Sequence, residues 1–306
     1  MIHIACNIDD NYIMQCCTTL VSVMHNNRDE QITFHVIAES LSDKGKEQIT
    51  AEVEKYNQQV VFYSHSLNKN LPAFESAHIS SAAYLRLYVA EILPQDIHKV
   101  LYIDCDLIVN GSIKDLWDID VSSCAVGAVE DMWSGKDCYY ERLEYAKDFT
   151  YFNSGVLLIN MDYWRQAHIS DVAMDYARQY ADRLIFNDQD ILNALLHDKK
   201  KLIPFRWNVQ DGFLRRKRRI QSHSIPSLLE ELKHPIIIHY TGHRKPWLYI
   251  CLSPYKNLFF KYLDMTAWKG YRPQVPLTWK WKTWVDAILY TTHLKAKKYD
   301  YKNCKI

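Results

Sequence analysis

Short apolar runs alternate with amphipathic stretches along the first hundred residues of the chain. The runs are rich in β-branched residues, which is typical of buried strands, and the stretches between them have helical spacing. The predicted strands are Ile2–Cys6, Ile32–Ala38 and Val60–Tyr63, and the predicted helices cover about 12–27 and 43–56. This order predicts parallel strands with helices on both faces, in which ligands gather at the carboxyl ends of the strands.

The same pattern continues through the middle of the chain and changes near residue 250. Further strands are predicted at Val100–Ile103, Ala125–Val129 and Gly155–Asn160, an apolar run at Leu107–Val109 precedes a turn, and helices are predicted at about 170–182 and 188–196. Beyond about residue 250, tryptophans, prolines and lysines accumulate. We therefore predict an α/β domain over residues 1–250 and a C-terminal extension, helical, basic and aromatic, over 251–306.

Composition narrows the class of protein. The chain has 306 residues, 48% of them hydrophobic, and a formal net charge of +1, as expected for a soluble globular enzyme without a general affinity for nucleic acid. No apolar run is long enough to span a bilayer, and no basic, apolar leader follows Met1, so we expect the chain to start in the cytoplasm. The 8 cysteines include no C-x-x-C pair and are expected to be reduced.

Glycine-rich phosphate loops are missing from the sequence, and glycine itself is scarce at 8 residues. A bound phosphate would therefore need a metal ion, a lysine or isolated backbone donors.

Asp104 and Asp106 leave the apolar run 100–103 together. Residues i and i+2 of a strand share a face, so both carboxylates can converge on one divalent cation, for which Mg²⁺ or Mn²⁺ is suited. Two alternatives remain open at this stage. Asp104 could cap a turn while Asp106 is solvated, or the pair could belong to an aspartyl-phosphate phosphohydrolase, although Leu107–Val109 replaces the Gly and Thr that normally follow such a pair.

Two further segments carry candidate chemistry. His239 follows the apolar run 236–238 and could supply a nitrogen ligand, while Gly242 permits close approach to a phosphate that Lys245 would neutralise. The cluster 187–190 groups amides and carboxylates of the kind that sugar hydroxyls require. A turn with a partly buried histidine, and helix capping by Asp or Asn, are the alternative interpretations.

Several motifs in order resemble glycosyltransferase family 8, with the closest likeness to bacterial lipopolysaccharide and lipooligosaccharide hexosyltransferases. The likeness covers roughly residues 2–250, and it rests on Asp9-Asp10-Asn11-Tyr12, His78-Ile79-Ser80, Tyr84-x-Arg86, Leu101-Tyr102-Ile103-Asp104-Cys105-Asp106, Phe152–Asn160, Asp188-Gln189-Asp190 and His239-Tyr240-x-Gly242-x-x-Lys245-Pro246-Trp247.

The resemblance implies a GT-A fold, a single Rossmann-like nucleotide-sugar-binding domain with a mixed sheet. It also implies transfer of a hexose from UDP-galactose or UDP-glucose to a lipopolysaccharide or lipooligosaccharide core acceptor, with retention at the anomeric carbon. By the resemblance, the Mn²⁺ ligands, with Mg²⁺ as an alternative ion, are Asp104, Asp106 and His239. The substrate-binding residues that it implies are Asp9, Asn11 and Tyr12 for uridine, Gly242 and Lys245 for the diphosphate, Arg86, Asn153, Ser154, Asp188 and Gln189 around the donor sugar, His78 near the diphosphate and acceptor, and Asp131 on the acceptor side.

Retention raises the question of a nucleophile on the face of the sugar opposite the leaving group. The position that resembles this place is Gln189, whose amide is a poor nucleophile, so a front-face route is the preferred hypothesis. The catalytic candidates are therefore Gln189, Asp188 and Asp190, the last acting as a nucleophile only if the backbone turns it inward. A catalytically silent sugar-nucleotide-binding module is the remaining alternative.

Two basic features suggest an anionic partner. Leu277, Trp281, Trp284 and Ile288 recur at helical spacing among lysines, which is typical of a helix lying on an anionic membrane surface, and a helix packed on the catalytic domain is the alternative. The run Arg215–Arg219 fits a phosphorylated glycolipid better than nucleic acid, or it is a solvated loop. We thus expect a peripheral protein on the inner face of the bacterial inner membrane.

Overall fold

The computed structural model describes residues 1–66, 81–292 and 298–300. Within these ranges the chain forms ten strands and eleven α-helices. The strands are β1 (Ile2–Asn7), β2 (Ile32–Ala38), β3 (Gln59–Ser64), β4 (Lys99–Ile103), β5 (Leu107–Val109), β6 (Val126–Glu130), β7 (Phe152–Asn160), β8 (Lys200–Leu202), β9 (Val209–Gln210) and β10 (Ile237–His239). The helices are α1 (Ile13–Asn26), α2 (Asp43–Glu54), α3 (Val89–Ile92), α4 (Lys114–Trp117), α5 (Asp137–Leu143), α6 (Met161–Gln166), α7 (Ile169–Gln179), α8 (Asn187–Leu196), α9 (Ile225–Glu231), α10 (Lys256–Leu263) and α11 (Leu277–Thr291).

Seven strands form a mixed sheet in the order β3-β2-β1-β4-β7-β6-β8. The first four strands in this order, β3, β2, β1 and β4, are parallel to one another, as the alternation of strands and helices predicts. β7 is antiparallel to both β4 and β6. Its amino end therefore lies beside the carboxyl ends of β1 and β4, and this edge of the sheet gathers polar side chains from all three strands.

Side chains along β1 and β4 alternate between two hydrophobic cores, one on each face of the sheet. Ile4 and Leu101 pack in the core that contains α1, α2 and α10, whereas Ala5 and Tyr102 pack in the core that contains α6, α7 and α8. Burial on both faces explains why these strands are almost continuously apolar in sequence.

A second, three-stranded sheet has the order β5-β10-β9. Leu107 pairs with His239 across the antiparallel β5 and β10, and the backbone N–H of Tyr240 donates to the carbonyl oxygen of Asp106. The chain thus passes from β4 in the large sheet to β5 in the small sheet within the three residues Asp104–Asp106. This crossing brings the end of β10 against the aspartate pair.

The observed elements differ from the predicted ones mainly at their ends. The strand predicted to begin at Gly155 begins at Phe152, because Phe152 pairs with Glu130 after an irregularity in the β6–β7 register. Asn153 and Ser154 consequently lie on a strand, where the backbone fixes their positions.

The first part of the segment after residue 250 packs in the core that contains α1 and α2. Phe259 and Tyr262 of α10 are fully buried there, and α10 packs on α1. α11 starts at Leu277, which is 81% exposed, and Trp281 on the same helix is 67% exposed, whereas the side chains of Trp284 and Ile288 lie outside the described residues. In the part of the chain that the structure describes, every helix is too short or too polar to span a bilayer. The predicted boundary at residue 250 stays a prediction.

Candidate active site

A pocket of about 960 Å³ opens at the carboxyl ends of β1 and β4 and the amino end of β7. This is the edge at which ligands bind in open α/β sheets. The structure brings most of the predicted site residues together in its lining, namely Asp9, Tyr12, Arg86, Asp104, Asp106, Asp131, Asn153, Ser154, Asp188, Gln189, His239, Gly242 and Lys245.

Asp104, Asp106 and His239 meet at the floor of the pocket. One ligand atom from each lies within 4.8 Å of the other two. The side chain of Cys105 points the other way, into the core beside Cys6 and Cys16, because alternate residues of extended chain face opposite sides. The buried Cys105 therefore directs both aspartates into the pocket.

A chain of hydrogen bonds fixes the histidine ring. The backbone N–H of Gly155 donates to Asn153 Oδ1 over 3.0 Å, which identifies that atom as an acceptor. Asn208 Nδ2 donates to the same oxygen over 2.8 Å, so Asn208 Oδ1 is left to accept from His239 Nδ1 over 2.9 Å. The Nδ1 atom of His239 thus carries a proton, and its Nε2 atom points to the aspartates.

A cation fits the space between these three side chains. His239 Nε2 lies 3.0 Å from Asp106 Oδ1 and 3.8 Å from Asp104 Oδ2. Asp106 Oδ1 is buried and accepts no hydrogen bond. Lone pairs this close repel each other, so a proton or a metal ion is needed between them, and two carboxylates with one imidazole suit a divalent cation such as Mn²⁺ or Mg²⁺.

Lys245 closes the floor of the pocket from the loop after β10. Its Nζ atom donates to Asp106 Oδ2 and, over 2.9 Å, to the carbonyl oxygen of Tyr240. Burial alone would raise the pKa of Asp106, but Lys245 and His239 hold it well below its usual range. Asp106 is therefore ionised at neutral pH.

Arg86 joins Asp104 to the start of α8. It comes from a 3₁₀ helix, Ser81–Tyr88, and its guanidinium binds Asp104 over 2.9 Å and Asp188 over 3.0 Å. It also donates to the carbonyl oxygen of Ser154 over 2.7 Å. One buried arginine thereby fixes two carboxylates relative to β7.

The Gln189 carboxamide makes four hydrogen bonds to its neighbours. Its Oε1 atom accepts from Asn153 over 3.0 Å and from the backbone N–H of Ser154 over 3.1 Å. Its Nε2 atom donates to Asp131 over 3.3 Å and to the Tyr151 hydroxyl over 3.2 Å. Burial raises the pKa of Asp131 to about 6, against the opposing effect of its hydrogen-bond donors.

The structure does not bring Asp190 to the pocket. Its side chain is fully buried and forms a bidentate ion pair with Arg142 over 2.7 and 2.9 Å. It also accepts from the Tyr151 hydroxyl and from the backbone N–H groups of Ile185 and Phe186, each over 2.7 Å. These bonds anchor the loop that leads into α8, and an inward rotation would break all of them.

The loop after β1 contributes two of its three predicted residues. Asp9 and Tyr12 line the pocket, and Tyr12 packs edge-on against Trp247 with ring centroids 5.8 Å apart. Asn11 is exposed and does not line the pocket; its backbone N–H donates to the Asp9 carboxylate over 2.9 Å. His78 lies outside the described residues.

Gly242 lies at the rim of the pocket with a positive φ of 81°. No heavy atom lies within 4 Å of the position that its Cβ atom would take. Glycine is therefore favoured here by the positive φ of the backbone and not by a lack of space for a side chain.

Several residues of the site were not predicted from the sequence. Gly155 and Asn208 support His239, and no sequence motif distinguishes Asn208 from any other polar residue. Trp133, Asp211, Arg215 and Lys298 line the pocket from three loops that are far apart in sequence. The basic run 215–219 is a sequence signal for Arg215, whereas Lys298 is one of many lysines beyond residue 250 and has no such signal.

Comparison with known proteins agrees with this geometry. The family model of glycosyl transferase family 8 matches residues 3–251. General stress protein A of Bacillus subtilis is 29% identical, with 88% of this chain and 95% of that protein covered. The lipopolysaccharide 1,3-galactosyltransferase of Salmonella typhimurium is 26% identical, with 87% and 79% covered.

A solved structure is similar over nearly the whole chain. The galactosyltransferase LgtC, crystallised in complex with donor and acceptor sugar analogs, superposes with a TM-score of 0.78 at 27% identity, covering 92% of this chain and 100% of that one. The fold is thus a GT-A fold, an α/β architecture with a mixed sheet.

The chain belongs to glycosyl transferase family 8. It is therefore a glycosyltransferase, and this assignment favours glycosyl transfer over the phosphohydrolase alternative.

Proposed function

We propose that this protein is a metal-dependent, retaining hexosyltransferase that moves galactose or glucose from its UDP-activated form to the core of a lipopolysaccharide or lipooligosaccharide. The observation that carries the proposal is the convergence of Asp104, Asp106 and His239, within 4.8 Å of one another, on the floor of the pocket. The similarity to LgtC and to the Salmonella galactosyltransferase supports the choice of sugar and acceptor.

The pocket has separate places for the parts of a nucleotide sugar. Asp9 and Tyr12 line the pocket and bind uridine, with the tyrosine ring against the base. Gly242 at the rim and Lys245 on the floor hold the diphosphate. The Arg86 network positions Asp188 beside Ser154, where hydroxyls of the donor sugar need acceptors.

The negative charge that develops on the departing UDP is stabilised where it forms. A bound Mn²⁺ or Mg²⁺ held by Asp104, Asp106 and His239 supplies positive charge at the diphosphate. Lys245 adds a second positive charge, because a diphosphate oxygen can replace Asp106 as its partner. Oriented charges of this kind act without reorganising during the reaction.

A front-face route accounts for retention better than a double displacement. The Gln189 Oε1 atom already accepts two hydrogen bonds, and the Asp190 carboxylate is buried in an ion pair with Arg142, so neither group is available as a nucleophile. Asp188 is engaged by Arg86 and by the Ser154 hydroxyl. A leaving-group oxygen of UDP then takes the proton of the acceptor hydroxyl on the same face, while Gln189 orients the sugar.

Asp131 holds the acceptor. Its carboxylate lies next to Gln189 and receives N–H groups from Asn153 and from the backbone of Trp133. When ionised it can accept a hydrogen bond from an acceptor hydroxyl, which positions that hydroxyl beside the donor sugar.

The exposed residues of the C-terminal helix α11 support association with a membrane surface. Leu277 and Trp281 are exposed on this helix, and lysines 280 and 282 lie beside them. Apolar side chains next to lysines favour the interface of an anionic leaflet. The expected location is the inner face of the bacterial inner membrane, where the glycolipid acceptor is also found.

Thermal shift and donor turnover test this function together. UDP and Mn²⁺ should raise the melting temperature only when both are present, and UDP-galactose or UDP-glucose should be consumed in a metal-dependent reaction that forms an α-linked product. Binding of UDP and Mn²⁺ without turnover of either donor would indicate the silent module instead. A covalent glycosyl adduct on Asp190 would refute the front-face route.

Membrane association has its own assay. Vesicles containing phosphatidylglycerol should bind the full chain, and the double substitution Leu277→Ser, Trp281→Ser should weaken binding without changing turnover of a lipid-free acceptor. Equal binding by both proteins would show that α11 does not contact the lipid.

A further inference from the structure

The cations on the floor of the pocket are neutralised by carboxylates. Arg86 binds Asp104 and Asp188, and Lys245 binds Asp106. The floor therefore carries little positive charge beyond what a metal ion would add.

One edge of the same pocket is different. Arg215, Arg244 and Lys298 line it, and Asp211 is the carboxylate that contacts two of them: it binds Arg215 Nε over 2.9 Å and lies 3.9 Å from Lys298 Nζ. Among the described residues, Arg244 forms no ion pair with a carboxylate. Three cations and one carboxylate leave a net charge of +2 at this edge.

The C-terminal segment 298–300 is docked onto the domain and carries Lys298 to this edge. The backbone N–H of Asp300 donates to Leu214 over 2.8 Å, and that of Arg216 donates to Lys298 over 3.1 Å. The buried Tyr299 donates its hydroxyl to Asp211 over 2.7 Å. The position of Lys298 is therefore set by backbone pairing and by a buried side chain on its neighbour.

The environment of Lys298 is electrostatically unfavourable as it stands. Burial lowers the pKa of its ammonium group, Asp211 raises it, and Arg215 and Arg244 lower it further. Asp211 is already engaged by Tyr299 and Arg215, so an additional anion would stabilise all three cations.

We propose that Arg215, Arg244 and Lys298 bind a phosphate group carried by the acceptor, so that the C-terminal segment forms part of the acceptor site. This inference rests on the proposed function. A phosphate monoester has about −1.5 to −2 charges at pH 7, which matches the net charge of this edge better than a single carboxylate does. Guanidinium groups also match the geometry of phosphate oxygens.

The test compares one acceptor with and without its phosphates. Lipid-free lipooligosaccharide core oligosaccharide is assayed before and after hydrofluoric acid removes the phosphate groups. We expect dephosphorylation to raise the KM for acceptor about tenfold or more, in line with the loss of charge-assisted hydrogen bonds. The KM for the UDP-hexose should not change.

Lys298→Gln provides the second arm, and Lys114→Gln on α4 is the matched control, because Lys114 pairs with the exposed Asp118 and does not line the pocket. Lys298→Gln should raise the KM for the phosphorylated acceptor several-fold and leave the KM for the dephosphorylated acceptor unchanged, so that the two changes are non-additive. Lys114→Gln should affect neither value.

Equal KM values for the two acceptors would overturn the phosphate site, as would an equal effect of Lys298→Gln on both. A rise in the KM for the UDP-hexose in Lys298→Gln would assign this edge to the donor instead. Hydrolysis of UDP-hexose without acceptor is measured in parallel. Transfer to both acceptors with equal KM values contradicts this inference alone, whereas hydrolysis without transfer to either acceptor contradicts the acceptor given in the proposed function, and absence of both reactions contradicts the proposed function as a whole.

Discussion

Replacing Gly155 by alanine is expected to damage the proposed metal site directly. A Cβ atom on Gly155 would lie 2.2 Å from His239 Cε1 and 2.6 Å from Asp104 Oδ2. Carbon atoms in contact are normally about 3.5 Å or more apart, so the imidazole ring or β7 must move by roughly 1.3 Å. Metal ligands tolerate deviations of about 0.2 Å, and the ring cannot move that far and keep its bond to Asn208.

The expected loss follows from this displacement. Disturbing the groups that orient metal ligands weakens metal binding by about 10- to 100-fold, and overpacking a core costs about 1–3 kcal/mol of folding stability. Isothermal titration of Mn²⁺ into the UDP complex measures the first effect, and thermal unfolding without metal measures the second.

Gly127→Ala on the neighbouring β6 is the matched control. Its Cβ atom would lie 3.3 Å from Ile203 Cγ2 and 3.4 Å from Val121 Cγ1, which are side-chain methyl groups that can give way, and no site residue is near. This variant should lose some stability and keep its Mn²⁺ affinity. If Gly155→Ala bound Mn²⁺ within twofold of the unsubstituted protein, the assignment of His239 and Asp104 to the metal would be wrong.

Three further predictions concern the same site. Asp106→Ala should lower metal-dependent transfer by at least about 10²- to 10³-fold, measured as release of UDP, and a variant with full activity would refute the site. Asn208→Ala should weaken Mn²⁺ binding about 10- to 100-fold while the far-UV circular dichroism spectrum is unchanged, because Nδ1 of His239 loses its acceptor; unchanged affinity would show that this bond does not orient the ring. Asp131→Asn should remove a pH dependence of stability: the native pKa of about 6 lies above the ordinary value of 3.8, so the folded state binds more protons between these values and its stability falls by up to about 3 kcal/mol as pH rises through that window. Urea unfolding at pH 4 and pH 7.5 measures this, and parallel pH profiles for Asp131→Asn and the unsubstituted protein would contradict it.

Local patterns in the sequence predict the strands, the helices and several of the site residues. The apolar runs that end in Asp104 and in His239 are short-range signals, since burial on both faces of a sheet demands continuous apolar side chains. The position of these residues at strand ends then predicts that they lie at the ligand-binding edge. The resemblance to a known family added roles for residues whose local pattern is ordinary, such as Arg86 and Asn153.

Contacts between distant segments were not predictable in the same way. Asp190 stands in a motif with Asp188 and Gln189, yet its partner is Arg142, which is 48 residues away in sequence and turns the carboxylate from the pocket. Lys298 is one of many lysines in the tail, and only the pairing of its segment with residues 214–216 brings it to the pocket. Neither the ion pair of Asp190 nor the position of Lys298 can be predicted from composition or local pattern.

The sequence by itself determined the α/β class, and it predicted Asp104, Asp106, His239 and Lys245 as candidate site residues, because periodicity and strand ends are local properties of a chain. The tertiary structure decided which nitrogen of His239 faces the aspartates and why residue 155 must be a glycine. It also decided which cations of the pocket remain without a carboxylate partner. These depend on distances between segments separated by tens to hundreds of residues, and such distances exist only once the two sheets and the C-terminal segment have packed together.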